Sequence, residues 1–166
     1  MSTKFSKAPK PKNESNWENI LASLNITKAR LMFISPYEDG RRVYHYEDKI
    51  IKIALNNADE DTKADRRQLL EGEFNILTKC KGISEVPEPI SIKKSEMAQI
   101  LELKYFKGID CVSFMVMGYR TPLKLLFWNL PIILIRLSVR GISHNDLRLE
   151  NILISDDRNI KLIDFD

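Results

Sequence analysis

Residues 151–165 leave the chain little choice of local structure. "NILI" (151–154) and "IKLIDF" (160–165) are short apolar runs, and the "SDDRN" (155–159) between them is made of turn formers. Two such runs this close together fold back on each other as a β-hairpin. Upstream, "HNDLRLE" (144–150) is a polar loop that leads into the first strand, and Asp164 stands at the end of the second. His144, Asp146 and Asn151 therefore sit on the loop side, and the returning strand brings Asp164 back towards Asn151. One carboxylate and one amide oxygen, completed by water and phosphate oxygens, make a hard site of the kind Mg2+ accepts. Asp146, held upstream in the loop, can then face an incoming hydroxyl. Any one of these residues alone is an ordinary turn former. The ordered set H-x-D-x-x-x-x-N, strand, turn, strand, D-F is far more demanding.

The rest of the chain has to support that site. At 166 residues it has the length of one domain, or of a small lobe plus part of another. With 43% apolar residues it can build a core. The net charge of +3 comes from the first 15 residues, where Lys4, Lys7, Lys10 and Lys12 stand against Glu14. That basic tail is expected to be solvated and unstructured, and it gives no clear sign of a nucleic-acid partner. Cys80 and Cys111 show neither paired nor metal-ligand spacing. No apolar leader opens the chain, and "LLFWNLPIILI" (125–135), flanked by Lys124 and Arg136, is too short to span a bilayer. These features point to a soluble intracellular chain, cytoplasmic or nuclear.

A short helix is expected over 17–24 and a strand over 30–35. "RRVYHYEDKIIKIAL" (41–55) reads as two strands around a turn at Glu47 and Asp48. Polar residues at 56–62 precede a helix running to about Lys81, with Gly82 suited to its C-cap. "EVPEPISI" (85–92) leads into a strand near Ile90, and "AQILEL" (98–103) forms the next. Residues 122–140 are apolar and helical in pattern, interrupted by Pro131, and apolar enough all round to be buried on several sides. The order of strands, helix, strands, helix and hairpin makes the chain α+β.

The C-terminal set resembles the catalytic loop and metal-binding segment of the protein-kinase-like superfamily. The resemblance implies an N-terminal antiparallel β-sheet lobe with one helix, over about 28–106, and a truncated C-terminal lobe of helix, catalytic loop and hairpin over about 107–166. Residues 1–15 would be tail, and 16–166 the kinase-like domain. It also implies ATP and Mg2+ as cofactors. Asp146 would orient the substrate hydroxyl and accept its proton. Arg148 stands where many protein kinases carry a lysine that contacts the transferred phosphate. Asn151 and Asp164 would hold Mg2+, and His144 would brace the loop.

Such a protein needs a phosphate-binding lysine on a strand and a glutamate on the following helix. "DKIIKIAL" (48–55) resembles the third-strand lysine motif. Strand alternation puts Lys52 on one face with Ile50 and Ala54, and turns Ile51 and Ile53 to the other. A lysine on so apolar a strand needs a partner, because an unpaired buried charge costs several kcal/mol, roughly. Glu73 has Leu69, Leu70, Ile76 and Leu77 three and four residues away, so it lies on the buried face; Glu71, among Arg67, Gln68, Phe74 and Asn75, does not. Glu73 is therefore the expected partner. "ILELKYFKG" (100–108) resembles the strand and hinge that hold adenine, with Leu103 near the gatekeeper position and Lys104, Tyr105 and Phe106 as the hinge.

The sequence departs from that pattern in three places. "ISPYEDGRRV" (34–43) has only Gly40 where a glycine-rich loop would cradle phosphate. Asp166 replaces the D-F-G glycine and, with Asn145 after His144, resembles choline- and aminoglycoside-type kinases, whereas "DLRLENIL" looks like protein kinases. The chain stops before any activation segment or peptide platform, so the apolar helix over 123–137 is expected to expose surface to a protein partner or to a second copy. The expected function is transfer of the ATP γ-phosphate to a hydroxyl, foremost a protein serine or threonine. Small hydroxyl compounds as acceptors, and a catalytically impaired scaffold, are the alternatives.

Overall fold

The structure is a computed structural model that describes residues 14–26, 29–34, 41–56, 60–118, 123–155 and 157–165. The basic stretch 1–13, residues 35–40 with Gly40, and Asp166 lie outside the described residues.

Alternation of apolar residues builds the first sheet. Strands β1 (Arg30–Ile34), β2 (Arg41–Tyr46), β3 (Lys49–Leu55), β4 (Pro89–Lys94) and β5 (Ala98–Lys104) pair antiparallel in the order β1-β2-β3-β5-β4. The turn between β2 and β3 is Glu47 and Asp48, with Glu47 at φ 54°, and it sets Val43 opposite Lys52 and Tyr44 opposite Ile51. One face of the sheet carries Tyr44, Ile51, Ile53, Leu55, Ala98 and Ile100. A first helix, α1 (Glu14–Ser23), covers that face with Trp17 and Ile20. The other face carries Ala54, Leu101 and Leu103 and meets α2 (Glu60–Lys79), whose buried positions Leu70, Glu73 and Leu77 recur at helical spacing. Gly82, at φ 88°, takes the left-handed turn after α2.

Beyond β5 the chain forms a second, three-stranded antiparallel sheet. It consists of β6 (Ile109–Asp110), β7 (Ile152–Ile154) and β8 (Ile160–Leu162), in that order, with α3 (Cys111–Val116) and α4 (Leu123–Ser138) inserted between β6 and β7. The expected hairpin is β7 and β8, with Ile152 opposite Leu162. The elements β6 and α3 have no counterpart in the sequence reading. Asp110 starts α3: its Oδ1 accepts the Ser113 amide at 2.8 Å. Burial works against its charge, but the amides of the first helical turn outweigh that and hold its carboxyl below the ordinary value.

The helix α4 corrects one expectation. Pro131 does not interrupt it; one helix runs from Leu123 to Ser138. Pro131 has no amide hydrogen, so the carbonyl of Phe127 loses its helical donor. Both residues lie on the exposed side, where water can take that carbonyl, while Leu126, Leu130, Ile133, Leu134 and Leu137 pack the opposite side into the core. The helix also exposes apolar surface, as the sequence led one to expect: Phe127, Trp128, Ile132 and Ile135 are exposed. One core cluster runs from α2 and the first sheet through Ile133 and Leu137 to Ile152, Ile154, Leu162 and Phe165 of the second.

Candidate active site

Lys52 lies in the middle of β3 on the face turned to α2, and its side chain is 12% exposed. Its Nζ donates to Glu73 Oε1 and Oε2 at 2.7 and 3.0 Å and to Asp164 Oδ1 at 2.5 Å. Burial alone would push the lysine pKa down. The two carboxylates outweigh it and raise Lys52 above its ordinary value, so it is a fixed cation. Glu71, the rejected partner, pairs with Lys94 instead.

Asp164 follows the end of β8 in a left-handed conformation, φ 59°, which turns its side chain out of the strand alternation. Burial disfavours its charge, but the Lys52 ammonium and, further off, Arg41 and His144 hold its carboxyl below the ordinary range. Arg41 was not singled out in the sequence. Its signal was its place opposite Ala54, on the same face of the sheet as Val43 and Lys52.

The loop before β7 is tied together by polar contacts. His144 is buried, its Nε2 lies 2.9 Å from the Ile163 carbonyl oxygen, and its ring packs on Phe165 with centroids 4.5 Å apart. A 3-10 turn (Leu149–Asn151) delivers Asn151, whose backbone carbonyl accepts the Ile163 amide at 2.9 Å. Asn151 Nδ2 donates to the Asp146 carbonyl at 2.9 Å and to Asp146 Oδ2 at 3.0 Å. Arg148 Nε and Nη2 reach the same Oδ2 at 2.9 and 2.5 Å. Asp146 therefore holds an amide and a guanidinium on one oxygen, and Arg148 points at the aspartate itself rather than at open solvent. The structure thus brings Lys52, Glu73 and Asp164 into one contact group, and Asp146, Arg148 and Asn151 into another. The backbone bond between Asn151 and Ile163 joins the two.

The strap 104–108 closes the far side. Leu103 is buried and lies opposite Ile50. The Lys104 amide donates to Glu88 O at 2.9 Å and the Tyr105 amide to Asp48 O at 2.7 Å, so these two donors serve the fold. The Tyr105 ring lies against His45, and Lys161 Nζ sits 4.9 Å from the centre of the Phe106 ring. Lys104, Tyr105 and Phe106 of the strap line a groove of about 810 Å³ together with Leu77, Ile83 and Pro87; none of Lys52, Asp146, Asn151 or Asp164 lines it.

A divalent cation can be tested against these donors. Among the described residues no three His, Cys, Asp or Glu side chains converge as a metal site. Asp164 and Asn151 offer one carboxylate and one amide oxygen. That set suits Mg2+, which retains water and takes phosphate oxygens, and is too sparse for a dedicated protein cage.

No protein-family model matches the chain, and no curated protein matches it in sequence. Its fold matches solved structures. A high-resolution crystal structure of WbdD aligns at 19% identity over 82% of this chain and 31% of that one, with a TM-score of 0.67. Monomeric WbdD aligns at 17% identity over 84% and 36%, with a TM-score of 0.72. A third structure, described as the bifunctional kinase-methyltransferase WbdD, aligns at 18% identity over 78% and 30%, with a TM-score of 0.67. The fold is kinase-like. The chain spans about a third of the length of these structures. Among the described residues, no helix is long and apolar enough to cross a membrane.

Proposed function

We propose that this chain is a phosphotransferase that uses Mg-ATP to phosphorylate a hydroxyl, with protein serine or threonine as the first acceptor class. The observation that carries the reading is Lys52 Nζ held between the Glu73 and Asp164 carboxylates. A buried lysine fixed by one carboxylate on a helix and another at a strand end is suited to meeting phosphate oxygens as a permanent cation. The described similarity of fold to WbdD, a named kinase-methyltransferase also crystallised with the kinase inhibitor LY294002, supports it.

In this reading residues 28–106 hold the nucleotide, with adenine against Leu103, Lys104, Tyr105 and Phe106, and residues 107–166 present the acceptor. Asn151 and Asp164 would hold Mg2+, which would neutralise phosphate charge. Asp146 orients the hydroxyl and accepts its proton. Arg148 leaves Asp146 for the transferred phosphate as the nucleotide binds, a move of one exposed side chain. His144 keeps the loop on the hairpin. A small hydroxyl compound is the second acceptor class, favoured by Asn145 preceding Asp146.

The test is a melting titration with Mg-ATP. Binding to the folded state alone stabilises by about 2.7 kcal/mol at a hundredfold excess over Kd. A Mg-dependent rise is expected in the wild type and its loss in Asp164→Ala. Asp146→Ala should keep the rise and lose transfer of labelled phosphate to protein or small-hydroxyl acceptors. A wild type that melts cooperatively without any nucleotide response refutes the reading.

A further inference from the structure

On the outer face of the first sheet, Arg42 carries a charge that no side chain among the described residues pairs with. Arg42 lies near the start of β2, opposite Ile53 on one side and Ile34 on the other, and is 6% exposed. Its guanidinium carbon sits 4.5 Å from the centre of the Trp17 ring, so α1 closes over it. Its neighbours on this face are Trp17, Ile20, Tyr44, Ile51 and Ile53, all buried. The buried carboxylate on the same face, Glu102, is already held by Lys49 at 3.3 Å and Lys93 at 2.5 Å.

Two of the guanidinium nitrogens, Nε and Nη2, are buried without a hydrogen-bond partner among the described residues. These two lie on the same edge of the guanidinium plane, with their N–H bonds parallel. That edge matches two oxygens of a carboxylate or phosphate side by side. Trp17 Nε1, a third donor in the same packed pair, is also buried and unpartnered. Orphaned buried donors are uncommon in folded proteins, and a buried cation left without a counter-charge is strongly destabilising. The stacked Trp17 ring offsets part of that cost, yet it leaves the in-plane hydrogens unbonded.

We propose that Arg42, beneath Trp17, binds a two-oxygen oxyanion, a carboxylate or a phosphoryl group, on the face of the sheet opposite Lys52. The fork of Nε and Nη2 takes both oxygens, and the Trp17 indole lies beside it as a further donor. Occupancy ties α1 to the sheet, because the ligand's receptor and its cover belong to different elements. The site is independent of the phosphotransferase reading and stands or falls without it.

The experiment compares melting of the wild type and Arg42→Met in sodium chloride, sodium phosphate and sodium acetate at equal ionic strength. Arg42→Met replaces the cation by an apolar chain of similar length. In chloride it is expected to melt at or above the wild type, since it no longer buries an unneutralised charge. Phosphate or acetate should then raise the wild type by about 5–10 °C at a hundredfold excess over Kd, with saturation, and leave Arg42→Met with only the general salt effect. Response to phosphate alone identifies a phosphoryl ligand, and response to acetate alone a carboxylate. An equal response of the two proteins, or chloride acting as well as the oxyanions, overturns the site. A second readout does not depend on that variant folding. The chain has two tryptophans, and Trp128 is exposed on α4, so Trp128→Phe leaves Trp17 as the reporter. A saturable change in its emission with phosphate or acetate, absent with chloride, is expected; an emission that no oxyanion changes refutes the proposal.

Discussion

Lys52 illustrates how much a single side chain can be constrained by its neighbours. It holds Glu73, which is 2% exposed, and Asp164, whose side chain is 44% exposed. Losing the buried partner matters most. Glu73→Ala is expected to lower stability by about 1.5–3 kcal/mol, the usual cost of a hydrogen bond to a charged group, measured by urea unfolding; Asp164 limits the loss by remaining in place. The pair also sets a pH dependence. The Asp164 carboxyl titrates below its ordinary 3.8, so its contribution is complete above that value and is lost as pH falls through the folded value. Lys52 titrates above its ordinary 10.5, so its contribution is complete below that value and lost only as pH rises past the folded one. Asp164→Asn should therefore flatten the acid limb of a plot of melting temperature against pH below about 4, and leave the neutral plateau without slope. The contact of Lys52 with Glu73 was legible because both periodicities, two for the strand and 3.6 for the helix, turn these residues to the same side. The clamp of Arg148 on Asp146 was not. It depends on the backbone path of a loop, and no periodicity encodes that.

At the scale of elements, α4 shows where a local rule and tertiary packing part company. Read from the sequence, Pro131 interrupts the helix. In the structure, five apolar residues on one side pack into the core, and one helix continues through the proline. The proline still deprives the helix of one backbone hydrogen bond. Pro131→Ala is expected to stabilise the protein by about 2 kcal/mol, roughly 3 from restored helix propensity less up to about 1 for the freer unfolded chain. Chemical denaturation of the two proteins checks it. The strands and the two longer helices of the sequence reading were found because each carries enough turns or alternations to declare its period. The elements β6 and α3 escaped because two and six residues are too few for a period. Their only local mark is Asp110, which caps α3 and could equally have begun a turn.

At the scale of the molecule, two sheets share one core and the strap 104–108 joins them. Gly108 makes the joint possible: a Cβ there would stand 2.8 Å from the Phe106 ring and 3.1 Å from the Ile154 carbonyl oxygen. The ring can turn aside, but the carbonyl belongs to β7 and cannot. Gly108→Ala is expected to cost about 1–3 kcal/mol in thermal or urea unfolding.

A second tie lies beside the strap. The segment between α2 and β4 is bound to the smaller sheet through Glu85, whose carbonyl accepts the Leu162 amide at 2.8 Å and whose carboxylate holds Arg136 at 3.0 Å. The C-terminal end of α2 is thereby moored. Across 20 residues the helix is about 30 Å long, so a tilt about its moored end near Lys79 would act as a lever. A tilt of about 10° would sweep the far end through about 5 Å but move Glu73, about 9 Å from the fulcrum, by only about 1.5 Å. That is enough to open a 2.7 Å contact with Lys52 without disturbing the packing around Leu77. Such a tilt would be geared down at the site, so that a large movement of the distant end became a fine adjustment of one ion pair.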